Sequence, residues 1–177
     1  MLKRILNQGL VYILAGVIVL ADQYTKHLVR TNLAVNESWN PWPWLAPYAR
    51  LLHIQNTGAA FGLFKNAGLF FTAVAVIVSL VIIVYAGRLP PGNWWMRMAL
   101  GMQLGGALGN LVDRLAFGPV TDFISLGSFA IFNVADASIS LGVALLALLM
   151  LFEARAGNTP PAPAGNSLPP VDMGEAS

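Results

Sequence analysis

The chain has 177 residues, of which 56% are hydrophobic and only 10% are charged. Soluble domains carry charge on about a quarter of their residues, so this composition excludes an ordinary soluble protein and indicates a membrane protein. The net charge of +2 gives no reason to expect a nucleic-acid partner, and the absence of cysteine excludes disulfides, thiolate metal sites and a cysteine nucleophile.

Four apolar stretches are candidates to cross a bilayer as helices. A span takes about 20 residues, because each residue rises about 1.5 Å and the hydrocarbon layer is about 30 Å thick. The first stretch is the weakest, because it reaches spanning length only if residues 5–8 are included, and a cleavable signal peptide is the alternative, since Lys3 and Arg4 precede the apolar run. We predict an all-α membrane protein, with one domain over residues 1–155 and spans at about 5–22, 67–86, 94–113 and 132–152.

The orientation of the chain follows from its basic residues. Lysine and arginine are equally numerous on the two predicted sides, but the first helix usually dominates, and Lys3 and Arg4 lie at its N-terminal end. We therefore expect both ends in the cytoplasm and a periplasmic loop at residues 23–66. The Pro-, Ala-, Gly- and Ser-rich stretch 156–177 is predicted to be a disordered cytoplasmic tail.

The predicted periplasmic loop is rich in aromatic residues. Trp39, Trp42, Trp44 and Tyr48 alternate with prolines, which is typical of an aromatic belt at the level of the lipid headgroups. A small platform on the membrane surface that contacts a lipid or a peptide is the alternative. Residues 50–55 alternate as a half-buried strand does, so the loop is expected to contain a small β structure.

Glycines mark one face of the predicted third span. Gly101, Gly105 and Gly109 recur at every fourth residue, which places them on the same side of a helix. Small residues in this pattern allow the backbone of a neighbouring helix to approach closely. The pattern predicts tight helix packing and carries no information on chemistry.

Carboxylates at the ends of the apolar stretches are the candidate functional groups. In the predicted topology four of the five aspartates, Asp22, Asp113, Asp122 and Asp136, come to the same membrane face. Two close carboxylates in a weakly solvated site share a proton, so one can act as a base on water and the other as an acid. Asp113 precedes Arg114, a pairing that is more often structural. Spacing alone leaves two pairs open, Asp113 with Asp136 and Asp122 with Asp136.

Other chemistries have less support in the sequence. His27 and His53 lack metal-ligand spacing, and no lysine or histidine lies in the last two spans to activate a serine, so neither a zinc site nor a serine nucleophile is expected. Transporters also carry intramembrane acids, but near the bilayer midplane rather than at one end. A scaffold in which every aspartate pairs with a basic residue is the remaining alternative.

Five polar motifs occur in order along the chain: DQYTK at 22–26, NTGAAFG at 56–62, GGALGNLVDR at 105–114, VTDFI at 120–124 and FNVADASI at 132–139. In these motifs and their helix spacing the chain resembles the bacterial lipoprotein signal peptidases, the type II signal peptidases. The resemblance implies an aspartic endopeptidase of the inner membrane without metal or cofactor. It implies cleavage of prolipoproteins before a diacylglyceryl-modified cysteine, contact with membrane lipid, and inhibition by the cyclic peptide globomycin. We expect a monomer.

The resemblance also selects one of the two aspartate pairs. Asp122 in VTDF and Asp136 in FNVAD match the catalytic aspartates of the family, and Asp113 matches a supporting position. The segment 123–135 is shorter than in some members, which would alter how the site is covered. The other matching polar positions, which would shape the site or bind peptide and lipid, are Asp22, Lys26, Asn56, Asn110, Arg114 and Asn133.

Overall fold

The computed structural model describes residues 2–58, 68–90 and 92–157, with side chains described from residue 9 to residue 155 within these ranges. The described helices are α1 (Leu2–Asn32), α2 (Gly68–Arg88), α3 (Trp94–Ala116) and α4 (Val134–Gly157), together with a short 3₁₀ helix at Pro43–Leu45. The strands β1 (Ser38–Trp39), β2 (Ala49–Asn56) and β3 (Val120–Leu126) form an antiparallel sheet in the order β1-β2-β3.

Helix α3 is the centre of the bundle and contacts each of the other three helices. Its glycines make this possible, as the sequence pattern predicts. A Cβ atom on Gly105 would lie 2.8 Å from the Cβ of Ile18 on α1, and one on Gly106 would lie 2.6 Å from Cγ1 of Ile139 on α4. Real side chains do not approach so closely, so α1 and α4 pack directly against the α3 backbone.

The contacts of α3 also give the relative directions of the helices. Gly101 lies beside Leu14, whereas Gly109, two turns later, lies beside Asp22, so α1 and α3 run parallel. Gly142 of α4 lies beside the first turns of α3, so α4 runs antiparallel to both. The first residues of α1 and the last residues of α4 are therefore at the same end of the bundle, and the sheet lies at the other.

The first helix is longer than the predicted span 5–22. It continues to Asn32, so the first ten residues of the predicted loop 23–66 are helical. The prediction ended the span at the first charged residue. The helix continues because Lys26 is completely buried against partners inside the protein and Val29 is buried beside it. Of the predicted tail, residues 156 and 157 belong to α4, and the remainder lies outside the described residues.

Three of the helices are long and apolar enough to cross a membrane. They contain the candidate spans Gly9–Asn32, Gly68–Arg88 and Val134–Arg155. Helix α3 matches the predicted span 94–113 in position, but it carries polar residues such as Arg97, Asn110 and Asp113, which the protein itself buries. The mostly helical fold with membrane-spanning helices and a small β structure is confirmed, whereas a fourth span is not established by hydropathy.

The sheet caps one end of the bundle. Strand β2 confirms the strand predicted at residues 50–55, and Trp39, Trp42, Trp44 and Tyr48 are exposed around it. Strand β3 was not predicted. It comes from the connection between α3 and α4, so the sheet is not formed by the loop between the first two helices alone.

Candidate active site

The four aspartates predicted to share a membrane face come together where the bundle meets the sheet. Asp22 lies in α1, Asp113 in the last two turns of α3, Asp122 in β3 and Asp136 in the first turn of α4. The first three are 0%, 0% and 2% exposed, and Asp136 is half-buried. Buried carboxylates are costly unless they are hydrogen-bonded or paired with cations, so the partners of each define the site.

Lys26 neutralises the inner part of this cluster. Its Nζ lies 2.8 Å from Oδ2 of Asp22 and 3.2 Å from Oδ2 of Asp113, and the side chain is completely buried. The same ammonium donates to Oδ1 of Asn110 at 2.9 Å. All three contacts lie within the protein, which explains how a lysine is tolerated at this depth.

Asn110 connects the cation to one of the outer acids. Its Oδ1 accepts hydrogen bonds from Lys26 Nζ and from Asn133 Nδ2, the latter at 3.1 Å. An amide oxygen that accepts from two donors has a defined orientation. The Nδ2 group of Asn110 therefore points the other way and donates to Oδ1 of Asp136 at 2.7 Å.

Asn133 contacts both outer acids. Its side-chain Nδ2 donates to Oδ1 of Asp122 at 2.7 Å, and its backbone N–H donates to Oδ2 of Asp136 at 3.2 Å. Its Oδ1 accepts from the backbone N–H of Asp136 at 2.9 Å, which caps the first turn of α4. One residue thus fixes Asp122 and Asp136 relative to each other.

The pKa of the Asp122 carboxyl is strongly raised, which favours its protonated form. Burial, and after it the negative charge of Asp136, raise the pKa of its carboxyl from 3.8 to about 7. Hydrogen bonds from the amides of Asn56 and Asn133 oppose this shift, the former at 2.8 Å from Oδ2. A carboxyl group with this pKa can hold a proton near neutral pH.

Asp122 and Asp136 line a cavity of about 600 Å³, and neither Asp22 nor Asp113 does. Of the two pairs left open by spacing, only Asp122 with Asp136 is therefore accessible to a ligand. Asn56 is a further polar residue of the lining, and the wall is otherwise mostly apolar, with side chains that include Phe129, Ile131, Phe132, Ile139 and Leu141. The cavity is suited to an extended apolar ligand with one polar group at the acids.

Asp113 forms ion pairs, but with partners other than the predicted one. The sequence pairs it with Arg114, whereas in the structure it forms ion pairs with Lys26 and Arg30. Consecutive residues of a helix point in different directions and cannot pair face to face. The guanidinium of Arg114 instead lies 5.7 Å from the centroid of the Phe71 ring on α2.

Three residues of the site were not predicted from the sequence, namely Gln23, Arg30 and Thr121. Gln23 donates to Oδ1 of Asp113 at 3.1 Å. Arg30 donates to the same oxygen at 3.3 Å and to Oγ1 of Thr121 at 3.1 Å. The signal that could have found Arg30 is its spacing, since Asp22, Lys26 and Arg30 follow one another at four-residue intervals on one helix face.

The chemistry available at the site is that of a pair of acids with different environments. Asp136 accepts hydrogen bonds from the Asn110 amide and the Asn133 backbone, while Asp122 is the more deeply buried. Two carboxyl groups placed in this way divide into a proton donor and a proton acceptor. Among the described residues, no group of three or more His, Cys, Asp or Glu side chains is arranged to hold a metal ion.

Comparisons with known proteins agree on one family. A family model described as signal peptidase (SPase) II matches residues 14–152. The lipoprotein signal peptidase of Moorella thermoacetica is 42% identical over 144 residues, which cover 81% of this chain and 94% of that protein. The lipoprotein signal peptidase of Caldanaerobacter subterraneus subsp. tengcongensis is 39% identical over 142 residues, or 80% and 95% of the two chains. A solved structure described as a bacterial membrane enzyme has a TM-score of 0.77 and 28% identity, covering 87% of this chain and 94% of that one.

Proposed function

The chain belongs to the signal peptidase II family, and we propose that Asp122 and Asp136 are its catalytic pair. The enzyme is an aspartic endopeptidase that removes the signal peptide from diacylglyceryl-modified prolipoproteins by cleaving before the lipidated cysteine. The observation that carries the proposal is that these two carboxyl groups, bridged by Asn133, are the aspartates that line the cavity.

The environments of the two acids support a division of roles. Asp136, which accepts hydrogen bonds from the Asn110 amide and the Asn133 backbone N–H, takes a proton from water as the water oxygen attacks the scissile carbonyl. Asp122, protonated near neutral pH, donates a hydrogen bond to the developing oxyanion and then a proton to the leaving amine. The proton that Asp136 has accepted then passes to Asp122, which restores the starting protonation of the pair for the next cycle.

The remaining polar residues are proposed to hold this pair in place. Asn56, Asn110 and Asn133 bind the acids directly. Asp22, Lys26 and Asp113 form the buried ion-pair cluster behind them. Arg114 belongs to the last turns of α3 and makes no ion pair among the described residues. We propose that its positive charge contributes electrostatically at the rim of the site.

The placement of the site suggests how the substrate is presented. We propose that α3 is a fourth membrane span, since its 23 residues cover about 35 Å and the protein itself buries its polar side chains Arg97, Asn110 and Asp113. Lys3 and Arg4 then put the shared end of α1 and α4 in the cytoplasm. The acids lie at the opposite end, on the periplasmic face of the inner membrane, where a precursor anchored by its diacylglyceryl chains holds the scissile bond at a fixed depth.

The partners follow from this placement. The signal peptide would occupy the apolar part of the cavity, and membrane lipid would surround α2 and the exposed aromatic residues of the sheet. Globomycin, a cyclic peptide, would compete for the same cavity. The two acids and the asparagines that bind them belong to one chain, and we propose that the enzyme acts as a monomer.

The test is removal of each acid in turn. Asp122→Asn and Asp136→Asn should each lower the cleavage of a diacylglyceryl-modified precursor peptide by at least about 10³-fold, because general acid–base catalysis is lost. Cleavage is measured in detergent by the mass of the product at the cysteine. Glu153→Gln, at an exposed position of α4, is the matched control and should cleave normally. Substantial cleavage by either folded aspartate variant would exclude these residues as the catalytic pair.

A further inference from the structure

We propose that Arg30 is a positioning residue for Asp122, acting through Thr121. Arg30 does not line the cavity, so any effect on cleavage has to pass through the residues it contacts. The proposal rests on the assignment of Asp122 as a catalytic acid and adds a residue of α1 that the predicted end of that helix had excluded.

Arg30 contacts both sides of the turn that leads to Asp122. On the α3 side its Nη1 lies 3.3 Å from Oδ1 of Asp113, and its guanidinium carbon lies 4.3 Å from the centroid of the Phe117 ring at the end of α3. On the β3 side the same Nη1 donates to Oγ1 of Thr121 at 3.1 Å. The guanidinium therefore bridges the end of α3 and the start of β3 through side-chain contacts on both sides of the turn at 117–119.

The backbone of this turn is irregular, and the contacts of Arg30 add to the backbone hydrogen bonds that hold it. Gly118 has φ +88°, a left-handed conformation that glycine adopts readily and other residues rarely adopt. Pro119 follows and has no N–H to donate. The N–H groups of Phe117 and Gly118 donate to the backbone oxygen of Asp113 at 2.8 and 3.2 Å, so α3 holds the start of the turn, whereas Arg30 contacts the side chains that flank the turn on both sides.

Thr121 transmits this restraint to the acid. Its backbone N–H donates to Oδ2 of Asp113 at 2.9 Å, and its hydroxyl accepts from Arg30. Thr121 is 3% exposed and immediately precedes Asp122 in β3. A shift of Thr121 would rotate the Asp122 carboxyl relative to Asn133 and Asp136, and misplacement by about 1 Å can cost on the order of 10²-fold in rate.

Stability alone does not account for Arg30. The side chain is 20% exposed, and Asp113 keeps its ion pair with Lys26 when Arg30 is removed. No buried carboxylate is left unpaired, and partly exposed ion pairs contribute little to stability. The contribution of Arg30 is therefore expected in the geometry of the acid rather than in the folding of the chain.

The experiment separates kcat from KM for Arg30→Gln with the lipid-modified precursor. We expect kcat to fall about tenfold and KM to stay within about twofold, since substrate contacts are unchanged while the acid is displaced. Arg30→Lys, which keeps a cation able to reach Asp113 and Thr121, should recover kcat to within about threefold of the parent enzyme. Arg50→Gln, an exposed arginine on β2, is the matched charge control and should leave both constants unchanged.

A double variant identifies the route of the effect. Thr121→Val removes the hydroxyl that accepts from Arg30, and we expect it to lower kcat by itself. Combined with Arg30→Gln, it should cause less loss than the product of the two separate losses, because both changes break the same contact. Unchanged kcat in Arg30→Gln, or fully multiplicative losses, would overturn the proposal. Normal cleavage by Asp122→Asn would instead overturn the catalytic assignment, so the two failures are distinguishable.

Discussion

At the scale of single residues, the site depends on a few amides with a defined orientation. Asn110 accepts from Lys26 and Asn133, which directs its own N–H group at Asp136. Asn133 in turn donates to both proposed catalytic acids. Carboxylates in a poorly solvated site need such donors, so these asparagines connect the buried Lys26 of α1 to the chemistry at the cavity.

The raised pKa of Asp122 makes a prediction about stability. The native state binds the Asp122 proton more tightly than the unfolded state does, because its pKa is about 7 rather than 3.8. The resulting stabilisation is complete below pH 4 and is lost as the pH rises through about 7. Asp122→Asn cannot ionise, so between pH 5 and pH 8 the variant should gain on the order of 2 kcal/mol relative to the parent.

The measurement is thermal unfolding in detergent at the two pH values. The relevant quantity is the change with pH of the difference in Tm between variant and parent, since this cancels any pH-independent cost of the substitution. Glu153→Gln, at an exposed acid, should show no such change. A difference in Tm between variant and parent that is the same at both pH values would contradict the raised pKa of Asp122.

At the scale of elements, the glycines of α3 decide where its neighbours lie. Gly101 and Gly105 face α1, and Gly106 faces the first turns of α4. These turns carry Asn133 and Asp136, while α1 carries Lys26. The distance between helices therefore sets the distances within the site, and close packing is needed for catalysis as well as for stability.

The element scale gives a prediction for Gly106→Ala. The added Cβ would meet the backbone oxygen of Ala135 and lie 2.6 Å from Cγ1 of Ile139, so α4 has to move. We expect a loss of about 1 to 3 kcal/mol in stability and a loss of cleavage of at least about tenfold from displacement of Asp136.

The control for this prediction is Gly16→Ala, since a Cβ atom at Gly16 would meet nothing within 4 Å. This variant should be neutral or stabilised by up to about 1 kcal/mol, because alanine has the higher helix propensity. Tm in detergent and cleavage of the precursor are measured for both. Equal behaviour of the two variants would show that the approach of α4 to α3 is not critical.

At the scale of the whole molecule, the bundle has two unlike ends. The first residues of α1 and the last of α4 share one end, and the sheet with the candidate site occupies the other. The exposed aromatic residues of the connection between β1 and β2, including Trp44 and Tyr48, lie at this second end. The proposed orientation directs the sheet and the candidate site to the periplasm.

The proposed orientation can be tested with single cysteines, because the chain contains none. Tyr48→Cys lies on the sheet side and Arg88→Cys at the end of α2, and both positions are exposed. In intact spheroplasts a membrane-impermeant thiol reagent should label the first and not the second. After permeabilisation both should be labelled. Labelling of Arg88→Cys alone in intact spheroplasts would reverse the orientation.

Much of the fold and of the candidate site could be predicted from the amino-acid sequence. Apolar stretches of the right length predict α2, α3 and α4 to within a few residues, because the length of a span is a local property of the chain. The motifs predict the family, which the comparisons confirm. They also single out Asp122 and Asp136, whose catalytic role remains a prediction, although the structure does place both on the cavity.

By itself, the sequence determined that the chain is a membrane protein, which stretches are helical, and which acids are candidates. Only the tertiary structure decided the true end of α1, the origin of β3 and the partners of Asp113. The reason is physical. Whether a charged residue such as Lys26 or Arg30 ends a helix or lies inside it depends on which side chains surround it, and those come from α3 and β3, more than eighty residues later in the chain.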